Sequence, residues 1–432
     1  MLRSVSMRRL CSTSWIYKEE NEMSFKDNLR EYARIIAALG INATSDRYVL
    51  LRCAVEAAEL GRMVEEECFK LGAKDVVMMW RDERADRIRV DYADIKMFEA
   101  LPEWKAESQN YYAREGCVAI SIIAEDPDIF AGADSDKMKA STLAARKAYK
   151  EFYKIMDEGN LRWTVVAYPN EAWAKKVFPN DTASNAVKKL WNAIFKTCRI
   201  GRGDTVKKWQ KHDRMLKKRA RILNREKFTA LRYKNSLGTD FTVGLAEKHI
   251  WKGGSEKCLA GKVYFPNMPT EEIFTMPDCR VCEGKVYSSM PLSYQGELID
   301  KFWLEFKDGA VIAHGAEVGL RALDRLLSTD EGSRRLGEVA LIPYDSPISN
   351  LGILFYNTLF DENASCHLAL GECYPDTMKG GEKLTEDELY ARGGNRSANH
   401  VDFMIGTADM EIVGIKADGS EVKVFEKGNF VV

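Results

Sequence analysis

Two of the five histidines fall late in the chain, beside carboxylates, in settings that suit a divalent cation. His400 opens His400-Val401-Asp402-Phe403-Met404-Ile405-Gly406, and His367 closes Asp361-Glu362-Asn363-Ala364-Ser365-Cys366-His367. In an extended strand, residues two apart project to the same face. His400 and Asp402 are therefore expected to aim an imidazole and a carboxylate into one space, with Val401 and Phe403 turned the other way into packing. A nitrogen and an oxygen donor projecting together match a borderline cation such as zinc. Alone, the pattern has little specificity, because H-x-D also arises on solvated strands.

Further acids border apolar segments of the same region. Glu271 and Glu272 follow Pro269 in a tight turn, Glu338 stands at the mouth of Val339-Ala340-Leu341-Ile342, and Asp361 and Glu362 lie just upstream of His367. Each also fits a solvated strand end. Together, two histidines and several carboxylates have the stoichiometry of two adjacent divalent ions bridged by a carboxylate and a water. The other histidines have plainer explanations. His212 fits a solvated position on a basic helix, His249 a structural role beside Glu247, and His314 a strand end before Gly315. Cys279 and Cys282 have zinc-knuckle or redox spacing, but a structural zinc needs two more soft ligands and no second C-x-x-C exists. They read as incidental thiols in a turn between strands.

Elements must hold these groups. An amphipathic helix is expected from Ser24 through Leu39, stopped by Gly40. Strands are expected at Tyr48–Leu51, Asp75–Trp80, Gly116–Ile123 and Trp163–Ala167, with helices at Val55–Leu71 and Lys137–Met156 between them. That alternation predicts an α/β domain with a mostly parallel sheet. No Gly-rich phosphate loop follows the first strand. From Ala172 to Phe241 the chain reads as mainly helical; beyond Gly238 it turns to short strands, Gly and Pro. An α+β domain is expected there. The expected divisions are 1–23 as a leader, 24–180 as the α/β domain and 181–432 as the metal-binding domain.

The 432 residues, 45% hydrophobic and 30% charged, have ordinary globular composition and room for two or three domains. With 64 basic against 65 acidic side chains, the chain has no global attraction to nucleic acid or anionic membrane. The basic stretch Lys207–Lys227 carries Trp209, Leu216, Ala220 and Leu223 along one helical face, so a packed helix with a solvated basic face accounts for it. No apolar run approaches the ~20 residues of a membrane-spanning helix. Ten scattered cysteines point to a reducing cytoplasm. The segment before Met23 lacks a secretory h-region; it reads as an unstructured leader or an upstream start.

Four motifs in order give the chain a resemblance to the M29 metallo-aminopeptidases of the aminopeptidase T and aminopeptidase S group. They are Asn267-Met268-Pro269-Thr270-Glu271-Glu272, Arg335-Leu336-Gly337-Glu338-Val339-Ala340-Leu341, Thr358 through Gly371, and Asn399 through Gly406. Tyr32-Ala33 and Gly72-Ala73-Lys74-Asp75-Val76 resemble the family's first domain more loosely. The resemblance implies metal ligands at Glu272, Glu338, His367, His400 and Asp402, with Glu338 bridging and Glu271 competing with Glu272. It implies Glu362 as a further acid near the metals and Tyr374 as a stabiliser of the transition state. The implied activity is removal of the N-terminal residue from peptides with a free N-terminus. Two divalent ions (Zn, Co, Mn or Mg) would activate the water, with Glu338 or Glu362 handling its proton. A cytoplasmic homodimer with an enclosed site is implied. The competing reading is a non-catalytic peptide- or metal-binding protein on the same fold.

Overall fold

A computed structural model describes residues 23–44 and 47–432, so the expected leader lies outside the described residues except for Met23. The first helix, Phe25–Ile35, begins where Ser24 accepts the Asp27 N–H, and it continues as a π turn over Ile36–Gly40. Tyr48–Ala54 (β1), Asp75–Arg81 (β2), Val118–Ile123 (β3) and Trp163–Ala167 (β4) form a parallel sheet in the order β2-β1-β3-β4. A fifth parallel strand, Asn267–Met268 (β5), arrives from far downstream and pairs with β4. Helices cover the sheet, as the alternation predicts. Two of them, Glu83–Tyr92 and Glu103–Arg114, have no counterpart in the expected elements. The helix expected over Lys137–Met156 is two, Ser135–Ala148 and Lys150–Asp157. The break falls at Tyr149, which is neither Gly nor Pro.

The stretch read as mainly helical holds three helices, Glu171–Val177, Ala183–Thr197 and Thr205–Glu226, but Ala230–Lys234 is a strand. That strand joins a nine-stranded sheet, antiparallel throughout, that continues to the C-terminus. Along the Thr205–Glu226 helix, Trp209, Leu216, Ala220 and Leu223 are buried as the stripe requires, and Lys218 and Arg221 are exposed. His212 corrects the sequence reading. It is 6% exposed, because it stands three residues after Trp209 and four before Leu216, on the apolar stripe itself. Cys279 and Cys282 also differ from expectation: both are buried within the Pro277–Tyr287 strand rather than in a turn. The strand is irregular there, its register shifting between Pro277 and Cys282.

The late motifs meet in a separate four-stranded antiparallel sheet. Its strands are Ile273–Thr275 (β6), Leu336–Leu341 (β7), His367–Gly371 (β8) and His400–Met404 (β9), in that order. Ile273, Leu336, Val339, Leu341, Leu368, Leu370 and Phe403 are each at most 1% exposed and pack one face onto the core of the large sheet. Burial of each such side chain stabilises the fold by about 1.5–3 kcal/mol. The opposite face is left for polar groups.

Candidate metal centre

Pairing register decides what that second face displays. Glu338 stands opposite Ala369, and Ala369 opposite Asp402, so these three lie in a row across β7, β8 and β9. His367 is two residues before Ala369, and His400 pairs with Gly371 two residues after it, so both share the face. The row depends on one irregularity. Leu336 pairs with Leu370 but Glu338 with Ala369, which leaves Gly337 as an extra residue in β7. Without it, Glu338 would follow Leu336 into the core. Gly337 suits the place because a Cβ there would lie 2.1 Å from the Glu372 carbonyl oxygen. Ala369, at the centre of the row, keeps the space between Glu338 and Asp402 open; its small size is the missed sequence signal.

Glu272 enters from the residue before β6. His367 Nε2 lies 3.5 Å from Glu272 Oε2, 3.7 Å from Glu338 Oε1 and 4.0 Å from Asp402 Oδ1. His400 Nε2 lies 3.2 Å from Glu338 Oε2 and 3.2 Å from Asp402 Oδ1. The groups thus form two triplets, Glu272–Glu338–His367 and Glu338–His400–Asp402, with Glu338 common to both. Each ring is oriented from behind. His367 Nδ1 is 2.8 Å from the Glu362 carbonyl oxygen and His400 Nδ1 is 2.7 Å from that of Glu372. A carbonyl only accepts, so both Nδ1 atoms carry hydrogen, and both Nε2 atoms face the carboxylates. Glu271 points elsewhere, toward Arg199 and His212, and is not part of either triplet.

The crowded donors shift one another's proton affinities. Three buried carboxylates face two imidazoles. Burial, and then the Glu338 carboxylate, raises Glu272 to about 8. Burial lowers His367, but hydrogen bonding to Glu338 and the charges of Asp402, Glu338 and Glu272 raise it to about 10. Burial opposes ionisation of Glu338 and Asp402 too, yet the histidines hold both below the usual carboxylate range. Asp402 Oδ1 is buried and makes no well-formed hydrogen bond, its nearest imidazole being His400 Nε2 at 3.2 Å, and a cation held between the two would satisfy it. Mixed N and O donors with shared Glu338 fit a pair of divalent ions and do not select among zinc, cobalt, manganese and magnesium.

Two further residues from the sequence reading adjoin the triplets. Glu362 is raised well above the usual range, first by burial and then by Glu272 and Asp402. The Tyr374 ring lies 4.6 Å from the His400 ring, tilted by 44°, and the residue is 43% exposed. Surrounding protein, and then the carboxylates of Glu338, Asp402, Glu362 and Glu272, raises its hydroxyl well above 10. Glu362 and Asp402 open onto a cavity of about 950 Å³ between the parallel-sheet region, with Phe130 and Arg146, and the later region, with Tyr294 and Tyr356. That volume accommodates a short peptide. His249 and His314 are outside the site, bonded to the Ala246 carbonyl and to Asp324.

The family described as thermophilic metalloprotease (M29) matches residues 25–430. Aminopeptidase PepS of Streptococcus thermophilus is 42% identical over 410 residues, 95% of this chain and 99% of the relative. Aminopeptidase AmpS of Bacillus subtilis is 40% identical over 407 residues, 94% of this chain and 99% of the relative. The solved structure of wild-type AmpT from Thermus thermophilus is 36% identical and matches 95% of this chain and all of its own with a TM-score of 0.88. Among the described residues, no helix is long and apolar enough to cross a membrane.

Proposed function

The chain belongs to the thermophilic metalloprotease (M29) family and is a hydrolase of the metallo-aminopeptidase kind, and from that premise we propose a two-cation mechanism. Glu272, Glu338 and His367 would hold one divalent ion, and Glu338, His400 and Asp402 the other. The observation that carries this reading is Glu338, whose two oxygens face different histidines. When bound, such a pair supplies Lewis-acid polarisation of the scissile carbonyl, a lowered pKa for water and an anchor for the free α-amino group.

The chain's own residues do the rest. Glu338, with both oxygens engaged, is poorly placed to shuttle protons. Glu362 is better suited, because it opens onto the cavity beside the triplets and its burial among carboxylates raises its proton affinity. It would take the proton of the attacking water and return one to the leaving amine. Tyr374, kept protonated, would donate a hydrogen bond to the oxyanion that forms at the carbonyl. The cavity onto which Asp402 and Glu362 open would admit a peptide whose free N-terminus reaches the triplets. A cytoplasmic homodimer belongs to the same reading and rests on family likeness; sedimentation tests the dimer. The activity test is release of p-nitroaniline from Leu-p-nitroanilide, abolished by EDTA and restored by Co²⁺, Zn²⁺, Mn²⁺ or Mg²⁺. Absence of cation-dependent release under every condition overturns the proposal.

A further inference from the structure

The two acids after Pro269 point opposite ways, and the mechanism above uses only Glu272. Glu271 turns into the protein, 3% exposed, where Arg199 Nη2 donates to its Oε1 at 2.6 Å and His212 Nε2 stands 3.5 Å from its Oε2. A buried carboxylate is costly unless charge and hydrogen bonds compensate it. Here they also grip the backbone on either side. His212 Nε2 donates to the Thr270 carbonyl at 2.7 Å, and Glu271 N–H donates to Asn363 Oδ1 at 2.7 Å. Asn363, wholly buried, directs its Nδ2 to the Leu359 carbonyl at 3.1 Å and to Glu362 Oε1 at 3.3 Å. Arg199, Glu271, Asn363 and Glu362 therefore form one continuous chain of contacts. It begins beside the Thr205–Glu226 helix and ends at the proton-transfer carboxylate. Glu272 hangs from the same clamped segment, one peptide away.

We propose that Glu271 is a positioning residue: through Arg199, His212 and Asn363 it sets the placement of the Glu272 and Glu362 carboxylates. The proposal rests on the two-cation reading, in which Glu272 is a ligand. Glu271→Gln keeps the shape but removes the charge facing Arg199, so the segment loses its strongest tether. Groups that orient metal ligands change cation affinity by about 10–100-fold when altered. A purely structural ion pair predicts something different: a lower melting temperature with unchanged cation affinity.

Cobalt is the probe. Full-length wild type and E271Q, stripped of metal, are titrated with Co²⁺, reading the dissociation constant by calorimetry and the visible Co²⁺ absorption band. The expected result is binding weakened by about 10–100-fold in E271Q, with an altered band. Weakening of less than tenfold with a wild-type band overturns the proposal. Should E271Q not fold, Asn363→Ala, read by the same threshold, decides. Failure of the wild type itself to bind Co²⁺ overturns the two-cation reading, so the two failures are distinguishable.

Discussion

Replacing Gly337 by alanine tests whether the irregularity in β7 aims Glu338. The added Cβ would stand 2.1 Å from the Glu372 carbonyl oxygen and 2.4 Å from that of Gly371. Ordinary carbon–oxygen contact is about 3.3 Å, so the strand must retreat by about 1 Å or expel its extra residue. Expulsion would shift the register and turn Glu338 toward the core; retreat would displace its carboxylate. A misplacement of about 1 Å at a reacting centre costs about 10²-fold in rate, or about 2.7 kcal/mol of barrier. Forcing a methyl into a filled site should also cost about 1–3 kcal/mol of stability. The assay is kcat/KM on Leu-p-nitroanilide at saturating Co²⁺, with thermal melting alongside. Gly419→Ala is the control, because nothing lies within 4 Å of its Cβ and only its φ of 80° is strained. That control should lose about 1–2 kcal/mol of stability and keep full activity. A Gly337→Ala enzyme with wild-type kcat/KM would refute the argument that the extra residue positions Glu338.

Glu362→Gln should lower kcat by about 10²–10⁴-fold while Co²⁺ still binds; full turnover in steady-state assays would exclude Glu362 as the proton carrier. Tyr374→Phe should cost about 10²-fold in kcat with little change in KM, and equal losses in an inhibitor that mimics only the ground state would argue against oxyanion stabilisation. His212 should make stability depend on pH. Burial, and then Arg199, lowers its pKa from 6.5 to about 3 in the folded chain, so between those values the unfolded chain binds a proton that the folded chain does not. Its contribution is therefore complete above about pH 6.5 and lost as pH falls, by about 1.4 kcal/mol per unit. Urea unfolding of the wild type and His212→Gln at several pH values between about 4 and 7 checks this. Parallel slopes would contradict it.

Legibility varied with the range of the physics. The helix capped by Ser24 and the strands Asp75–Arg81, Val118–Ile123 and Trp163–Ala167 were readable because capping and apolar runs are local signals, but the burial expected of Asp75–Arg81 fails, since it is an edge strand in which only Val76 is buried. The Tyr149 break was not, since it carries no Gly or Pro; the Ala230–Lys234 strand does alternate, with Leu231 and Tyr233 buried, but over too few residues to stand out after the long basic helix. His212 was legible in principle from its spacing to Trp209 and Leu216, but the surrounding lysines and arginines masked the stripe. Asn363 sat inside a quoted motif with no chemistry of its own; only its three bonds give it a role.

The sequence by itself determined the donor types and the local pairing of His400 with Asp402, because alternation along a strand needs no information from elsewhere. Their Nε2 and Oδ1 atoms stand 3.2 Å apart, as one face of one strand requires. Tertiary structure alone decided the rest of the assembly. It set the register that lines Glu338, Ala369 and Asp402 in a row, and the extra Gly337 that turns Glu338 out of the core. It also separated Glu272 from Glu271, giving one to the histidines and the other to Arg199. Those outcomes depend on strands and helices brought together from positions far apart in sequence. No window along the chain contains both partners of such a contact.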